Sequence, residues 1–280
     1  MAAVTSDGAP GERSGSGGSG VSGKPVALPH TRVGEGAHHV IAVHGWLCDR
    51  TSYDGIIGDL DEQTFSYAVP DLRGYGEARS TPGACTTSEA AGDILALADS
   101  LGWDRFSLVG HSMGGAIIQR VLVAAPERVR RMVGLAPVPA SGVPLRDDRW
   151  ELFAGAGERP ENRREIIDDT TGGRCPAAWL VRMVRASTQR CDPAAVRAWL
   201  DSWALEDFRD QVRGFQVPVR VVVGSEDPSL TAEVMRATWL QWYEAAELVE
   251  MNGAGHYLMD ETPLGAVRAA EDFLRADGGE

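Results

Sequence analysis

The chain has 280 residues and a formal net charge of −13 at pH 7. Such acidity argues against nucleic acid or an anionic membrane surface as a partner, because both would repel the protein. No apolar run approaches the length of a membrane span, and the N-terminus lacks the apolar core of a signal peptide. The four cysteines show neither metal-binding nor redox spacing. We therefore expect a cytoplasmic protein with one domain that carries an insertion.

The first 23 residues are rich in glycine and serine without hydrophobic periodicity, which predicts a disordered tail. Beyond them, short apolar segments alternate with segments of helical spacing, a pattern typical of a parallel sheet covered by helices on both faces. The predicted strands, about seven in all, cover residues 26–33, 40–43, 66–69, 106–109, 132–135, 219–223 and 248–251. The predicted helices of this part cover residues 53–60 and 88–101, a segment that Pro126 closes, and a segment that starts with Thr262 and Pro263.

Between residues 138 and 215 this alternation stops and the strand signals vanish. Pro176 begins one predicted helix, and Asp192 with Pro193 forms an N-cap followed by a proline in the first turn of another. The segment contains four of the eight tryptophans. The change of pattern predicts a helical insertion in an otherwise α/β domain.

The sequence Gly110-His111-Ser112-Met113-Gly114 joins a predicted buried strand directly to a predicted helix. A turn this tight places Ser112 at its apex in a strained backbone conformation and lifts its hydroxyl off the sheet. Glycines two residues to either side prevent a Cβ from colliding with the neighbouring strand and helix. The arrangement predicts a catalytic nucleophile. The alternative is a serine that merely caps a helix in a βα turn.

Together with this turn, four other segments resemble the α/β-hydrolase superfamily, specifically its small serine esterase and perhydrolase-like branch, over about residues 38–275. They are Val-Ile-Ala-Val-His-Gly-Trp at 40–46, Pro-Asp-Leu-Arg-Gly-Tyr-Gly at 70–76, the segment 219–227, and Gly-Ala-Gly-His at 253–256. The resemblance implies a mostly parallel α/β-hydrolase sheet flanked by helices. It divides the chain into a core, residues 24–137 and 216–280, and a helical cap over the active site, residues 138–215.

The resemblance also implies a catalytic triad in the chain order serine, acid, histidine. His256 is the only histidine that follows Ser112 in the chain, and it lies in a glycine-bearing loop after a predicted strand. The implied acid is Asp227, in the turn after the strand at 219–223, with Glu226 as the alternative. The acid would orient the histidine and stabilise its charged form.

Two backbone N–H groups are expected to form the oxyanion hole. One belongs to Met113 and the other to Trp46, in the loop after the second predicted strand. The cap tryptophans Trp179, Trp199 and Trp203 are expected, with Trp46, to line an apolar substrate cavity.

These residues predict a serine hydrolase that cleaves a carboxylic ester or lactone of a small to medium apolar substrate through an acyl-enzyme intermediate. A nucleophilic serine requires neither a metal nor an organic cofactor, so we expect none. The alternatives are hydrolysis of a thioester or a carbon–carbon bond in the same fold, and a non-catalytic homologue that binds a ligand in the capped cavity.

Overall fold

A seven-stranded sheet lies at the centre of the structure, a computed structural model that describes residues 23–276. Its strands are β1 His30–Val33, β2 His38–Val43, β3 Phe65–Pro70, β4 Phe106–His111, β5 Val129–Leu135, β6 Val219–Gly224 and β7 Ala246–Met251. The spatial order is β1-β3-β2-β4-β5-β6-β7, and only the pairing of β1 with β3 is antiparallel. The predicted, mostly parallel sheet of about seven strands is confirmed. The predicted disordered tail lies outside the described residues, apart from Gly23.

Twelve α-helices occur between residues 23 and 276. They are α1 Asp54–Ile57, α2 Thr87–Ser100, α3 Met113–Ala124, α4 Asp147–Ala154, α5 Pro160–Thr170, α6 Ala177–Arg190, α7 Pro193–Leu205, α8 Arg209–Val212, α9 Ala232–Ala237, α10 Trp239–Trp242, α11 Leu258–Glu261 and α12 Pro263–Arg275. None of them is long and apolar enough to cross a bilayer.

Helices cover both faces of the sheet. Successive residues of a strand point to opposite sides, so each strand contributes side chains to both faces. In β2, Ile41 and Val43 belong to the apolar cluster that contains the inward faces of α2 and α3. Val40 and Ala42 belong to a second cluster, which contains the inward face of α12. All six residues of β4 are buried. The carboxyl end of this central strand, where ligands of open α/β sheets bind, is therefore enclosed by the fold.

The first strand is shorter than the predicted segment 26–33. It begins only at His30. Pro29 has no N–H to contribute to a strand ladder. The Val26 N–H donates instead to Oδ1 of Asp93 at 2.9 Å, outside the sheet.

The helix predicted at residues 53–60 is also reduced. The structure has a 3₁₀ turn, Arg50–Tyr53, followed by the single turn of α1. Gly55 and Gly58 fall within the predicted segment, and each glycine costs a helix about 1 kcal/mol relative to alanine.

Helices α4 to α8 lie between β5 and β6, and we call residues 138–215 the helical insertion. As predicted, Asp192 caps α7, with its side chain accepting from the Ala195 N–H at 3.0 Å. The insertion is joined to the core by a buried hydrogen bond, 2.8 Å long, from Nε1 of Trp46 to the Val196 carbonyl. This contact holds α7 against the loop that follows β2.

Candidate active site

Ser112 stands at the apex of the sharp turn between β4 and α3. Its φ of 53° and ψ of −119° fall in a region that residues with a Cβ rarely adopt. A Cβ on Gly110 would come within 2.5 Å of the Gly114 carbonyl oxygen, and one on Gly114 within 2.4 Å of the Val43 carbonyl oxygen. Only glycine permits this close approach of strand and helix. The turn therefore has the geometry of a nucleophile elbow.

Asp227 and His256 form a buried pair, only 2% and 9% exposed. Nδ1 of His256 lies 2.7 Å from Oδ2 of Asp227, while Oδ1 accepts from the N–H groups of Ser229 at 2.9 Å and Leu230 at 3.0 Å. Burial opposes ionisation of Asp227, but the facing imidazole and these N–H groups outweigh it and lower the pKa of the carboxyl. The carboxylate is thus held in one orientation. It favours the imidazole tautomer whose Nε2 can accept a proton.

Glu226, the alternative acid, is exposed and accepts a hydrogen bond from the Ser225 hydroxyl at 3.0 Å. Asp227, and not Glu226, contacts His256. Ser112 and His256 line the same cavity. The Ser112 hydroxyl makes no hydrogen bond to His256 within the described part of the chain. Bonds of this kind commonly tighten only when substrate is present.

Two other histidines adjoin the site in structural roles. Nε2 of His111 donates to the His256 carbonyl at 3.0 Å. Nδ1 of His44 donates to the Gly45 carbonyl at 2.8 Å, and its Nε2 accepts from the Leu72 N–H at 3.1 Å. Burial lowers the pKa of His111 to about 3 and also lowers that of His44, so both rings stay neutral at pH 7. They hold backbone segments in place around Ser112.

Two backbone N–H groups next to Ser112 are available to a ligand. Met113 is the first residue of α3. Trp46 follows Gly45, where a Cβ would come within 3.1 Å of Ser112 Cβ, so this loop lies directly against the serine turn. Neither N–H finds an acceptor among residues 23–276. Free backbone donors beside a serine hydroxyl are suited to stabilising an oxyanion.

A mainly apolar cavity of about 70 Å³ lies over Ser112. The ring of Trp46 stacks on Phe153 with a centroid distance of 5.5 Å, and it meets Trp203 edge-on at the same distance. Both partners belong to the helical insertion. The insertion also contributes Val143, Leu145 and Ile166 to the cavity wall.

Two tryptophans predicted to bind substrate, Trp199 and Trp179, lie outside this wall. Trp199 is 1% exposed, and its Nε1 donates to the Arg73 carbonyl at 2.9 Å. Trp199 precedes Trp203 by one turn of α7, about 6 Å along the helix axis. At this point of the helix its ring packs against the core and not against the cavity. Nε1 of Trp179 donates to Asp260 at 3.0 Å, near the surface. The expectation that these two residues line the substrate cavity is therefore corrected.

Several cavity residues were not identified from the sequence, among them Phe153, Leu230 and Tyr257. Leu230 and Tyr257 follow Asp227 and His256 closely, so their proximity in sequence was a usable signal. Phe153 carried no signal, because its place in the wall depends on how α4 packs against the core.

A second cavity, of about 360 Å³, adjoins the first at Leu47 and Cys48, which line both. Its wall carries charged side chains, including an ion pair of Arg190 with Asp49 and, at 2.9 Å, one of Arg182 with Asp260. The apolar cavity over Ser112 thus has a larger neighbour, with ion pairs in its wall, between the core and α6.

A mostly parallel sheet with a strained serine turn after β4, a carboxylate after β6 and a histidine after β7 defines the architecture of the α/β hydrolases. The sequence model of the alpha/beta hydrolase family matches residues 40–270, and the chain belongs to that family.

Similar proteins include a pimeloyl-[acyl-carrier protein] methyl ester esterase of Nitrosomonas europaea, 27% identical over 229 residues that cover 78% of this chain and 88% of the relative. A 2-hydroxy-6-oxo-2,4-heptadienoate hydrolase of Pseudomonas putida is 28% identical over 274 residues, 91% of each chain. Among solved structures, a hydrolase from Oleispira antarctica matches with a TM-score of 0.80 at 18% identity, covering 90% of this chain and 96% of that one. The structural match shows a shared fold.

Proposed function

We propose that this protein is a serine hydrolase that cleaves a carboxylic ester or lactone through an acyl-enzyme, with Ser112 as nucleophile, His256 as general base and Asp227 as its orienting acid. The observation that carries the proposal is the buried 2.7 Å contact of Asp227 with His256, which lines the same cavity as Ser112 in the strained turn. The strain at Ser112 has a functional reason if its hydroxyl must be presented to a substrate.

In this mechanism Nε2 of His256 takes the Ser112 hydroxyl proton while Oγ attacks the carbonyl carbon. The tetrahedral oxyanion accepts hydrogen bonds from the N–H groups of Met113 and Trp46. His256 then gives its proton to the leaving alkoxide, which departs as the alcohol and leaves the acyl group on Ser112. A water molecule, deprotonated by His256, attacks the acyl-enzyme and releases the carboxylic acid and free Ser112.

The helical insertion would act as a cap that sets the substrate range, since it supplies much of the wall around Ser112. A cavity of about 70 Å³ is far below the roughly 300–1,000 Å³ of sites for drug-sized ligands. A short apolar group fits it, with the remaining polar part of the substrate in the adjoining charged cavity.

The names of relatives support the reaction class. The match from Nitrosomonas europaea is an esterase of a methyl ester. The match from Pseudomonas putida is a hydrolase of a 2-hydroxy-6-oxo dienoate, and it covers 91% of this chain. That relative makes carbon–carbon bond hydrolysis the second candidate, with the same triad.

The test is the turnover of p-nitrophenyl acetate, butyrate, octanoate and a small lactone series, with a 2-hydroxy-6-oxo dienoate beside them. We expect the highest kcat/KM for short acyl groups and a loss of more than roughly 10³-fold in Ser112→Ala. The matched control, Ser80→Ala, changes an exposed serine and should retain full activity. A fluorophosphonate should label Ser112, as read by peptide mass. Labelling at another serine, or dienoate cleavage without ester turnover, would contradict the ester assignment.

A further inference from the structure

The loop that carries His256 lies between β7 and α11 and contains Gly253 and Gly255. Two glycines give such a loop many conformations. The bond to Asp227 orients the imidazole ring, but it does not hold the backbone that carries the ring. A general base must keep its distance from the nucleophile, since a displacement of 1 Å can cost about 10²-fold in rate. Other groups must therefore hold this backbone.

Glu261 provides two of these contacts. Its Oε2 accepts from the Gly255 N–H at 2.8 Å, and its Oε1 accepts from the Tyr257 N–H at 3.0 Å. The two donors are the residues immediately before and after His256. One carboxylate thus spans the histidine on both sides, using both of its oxygens.

The third contact comes from the helical insertion. The N–H of His256 itself donates to the carbonyl of Thr170, the last residue of α5, at 3.1 Å. A Cβ on Gly255 would come within 2.8 Å of Thr171 Cα and 3.0 Å of the Thr170 oxygen. The end of α5 therefore packs directly on the histidine loop.

Nε2 of His111 donates to the His256 carbonyl at 3.0 Å. The backbone N–H groups of residues 255–257 and the carbonyl of His256 therefore all have hydrogen-bond partners. A simple helix cap explains less than this. Glu261 is the last residue of α11, and its bond to the N–H of Tyr257, the N-cap residue, is of the kind that a helix cap makes. Its second bond, to the Gly255 N–H, lies outside the helix on the other side of the histidine.

We propose that Glu261 is a positioning residue for His256 and that, with the Thr170 carbonyl, it couples the placement of the helical insertion to the placement of the base. This inference rests on the proposed function. The cap is then part of the catalytic scaffold as well as a wall of the cavity.

The variants Glu261→Ala and Glu261→Gln of the full chain test this role on p-nitrophenyl butyrate. Alanine removes both acceptors, and we expect kcat to fall about 10- to 100-fold with KM changed less than about threefold. Glutamine retains one acceptor oxygen, so its kcat should lie between those of alanine and wild type. The control is Glu250→Gln, an exposed acid at the end of β7, which should keep wild-type kcat.

A spectroscopic readout separates positioning from folding. The His256 Nδ1–H bonded to Asp227 gives a low-field proton resonance, which should shift or broaden in Glu261→Ala while the urea midpoint shows the protein still folded. If Glu261→Ala does not fold, Glu261→Gln decides alone. Wild-type kcat in the folded variants, with an unchanged resonance, would overturn the role of Glu261. Absence of Ser112-dependent turnover in the wild type would instead overturn the proposed function.

Discussion

At the scale of single residues, Asp227 and Glu226 show how one step along the chain separates two chemically similar groups. The turn after β6 directs Asp227 inward, where it is 2% exposed against His256, and directs Glu226 to solvent. Only the buried carboxylate can hold the imidazole tautomer.

Asp227→Asn should preserve the fold and reduce kcat by roughly 10³- to 10⁴-fold, because an amide facing Nδ1 favours the wrong tautomer. Glu226→Gln is the matched control, one residue away and exposed, and should retain activity within about twofold. The measurement is kcat/KM on p-nitrophenyl butyrate, with circular dichroism as the check on folding. Loss in Glu226→Gln with retention in Asp227→Asn would move the acid by one residue.

At the scale of elements, α7 carries two tryptophans one turn apart with different tasks. Trp203 lines the cavity over Ser112 beside Trp46, whereas Trp199 packs within 6.4 Å of the Tyr75 ring in the core. One helix thus contributes one tryptophan to the cavity wall and another to the packing against the core.

Trp203→Leu should enlarge the cavity and raise the octanoate-to-butyrate ratio of kcat/KM by roughly tenfold, the effect of about one or two apolar carbons in a pocket. Trp199→Leu should leave that ratio unchanged and lower the free energy of unfolding by roughly 1–3 kcal/mol, because it removes a buried ring and the donor to Arg73. Urea titration and the acyl-chain series measure the two effects. A shifted ratio in Trp199→Leu alone would reverse the assignment.

At the scale of the whole molecule, the pKa values of four histidines are lowered. Desolvation is the largest cause in each case, and it lowers the pKa of His38 to about 4, that of His111 to about 3, and those of His39 and His44 below the ordinary value. Below about pH 6.5 the unfolded chain binds protons at these side chains before the folded chain does. Protonation therefore favours unfolding.

Stability should consequently fall as the pH is lowered from about 6.5 towards 4, by an amount on the order of 1 kcal/mol or more at the fully buried His111. Urea midpoints at pH 7.5, 6 and 5 measure this dependence. His38→Gln should reduce it, because glutamine can still bond the Ser107 hydroxyl, which lies 2.8 Å from Nε2 of His38, but does not titrate. An equal slope in the variant would exclude a contribution from His38.

Much of the fold was predictable from the sequence, because apolar runs and helical spacing record burial locally. The exceptions have local causes that compete with this signal. The predicted start of β1 was wrong because Pro29 interrupts the ladder, and α1 is shorter than predicted because Gly55 and Gly58 weaken the helix.

The serine turn was determined by the sequence alone. Its geometry depends on Gly110, Ser112 and Gly114 within five residues, where the backbone conformation follows from which positions lack a Cβ. The positions of Asp227 and His256 after their strands were likewise evident in the sequence.

Only the tertiary structure decided which side chains meet. Trp199 and Trp203 share one helix stripe in the sequence, and their separation between core and cavity depends on how α7 crosses the loop of Trp46. The contact of the Thr170 carbonyl with the His256 N–H joins segments about 90 residues apart. Such contacts are set by the packing of whole elements, which no short-range pattern of residues encodes.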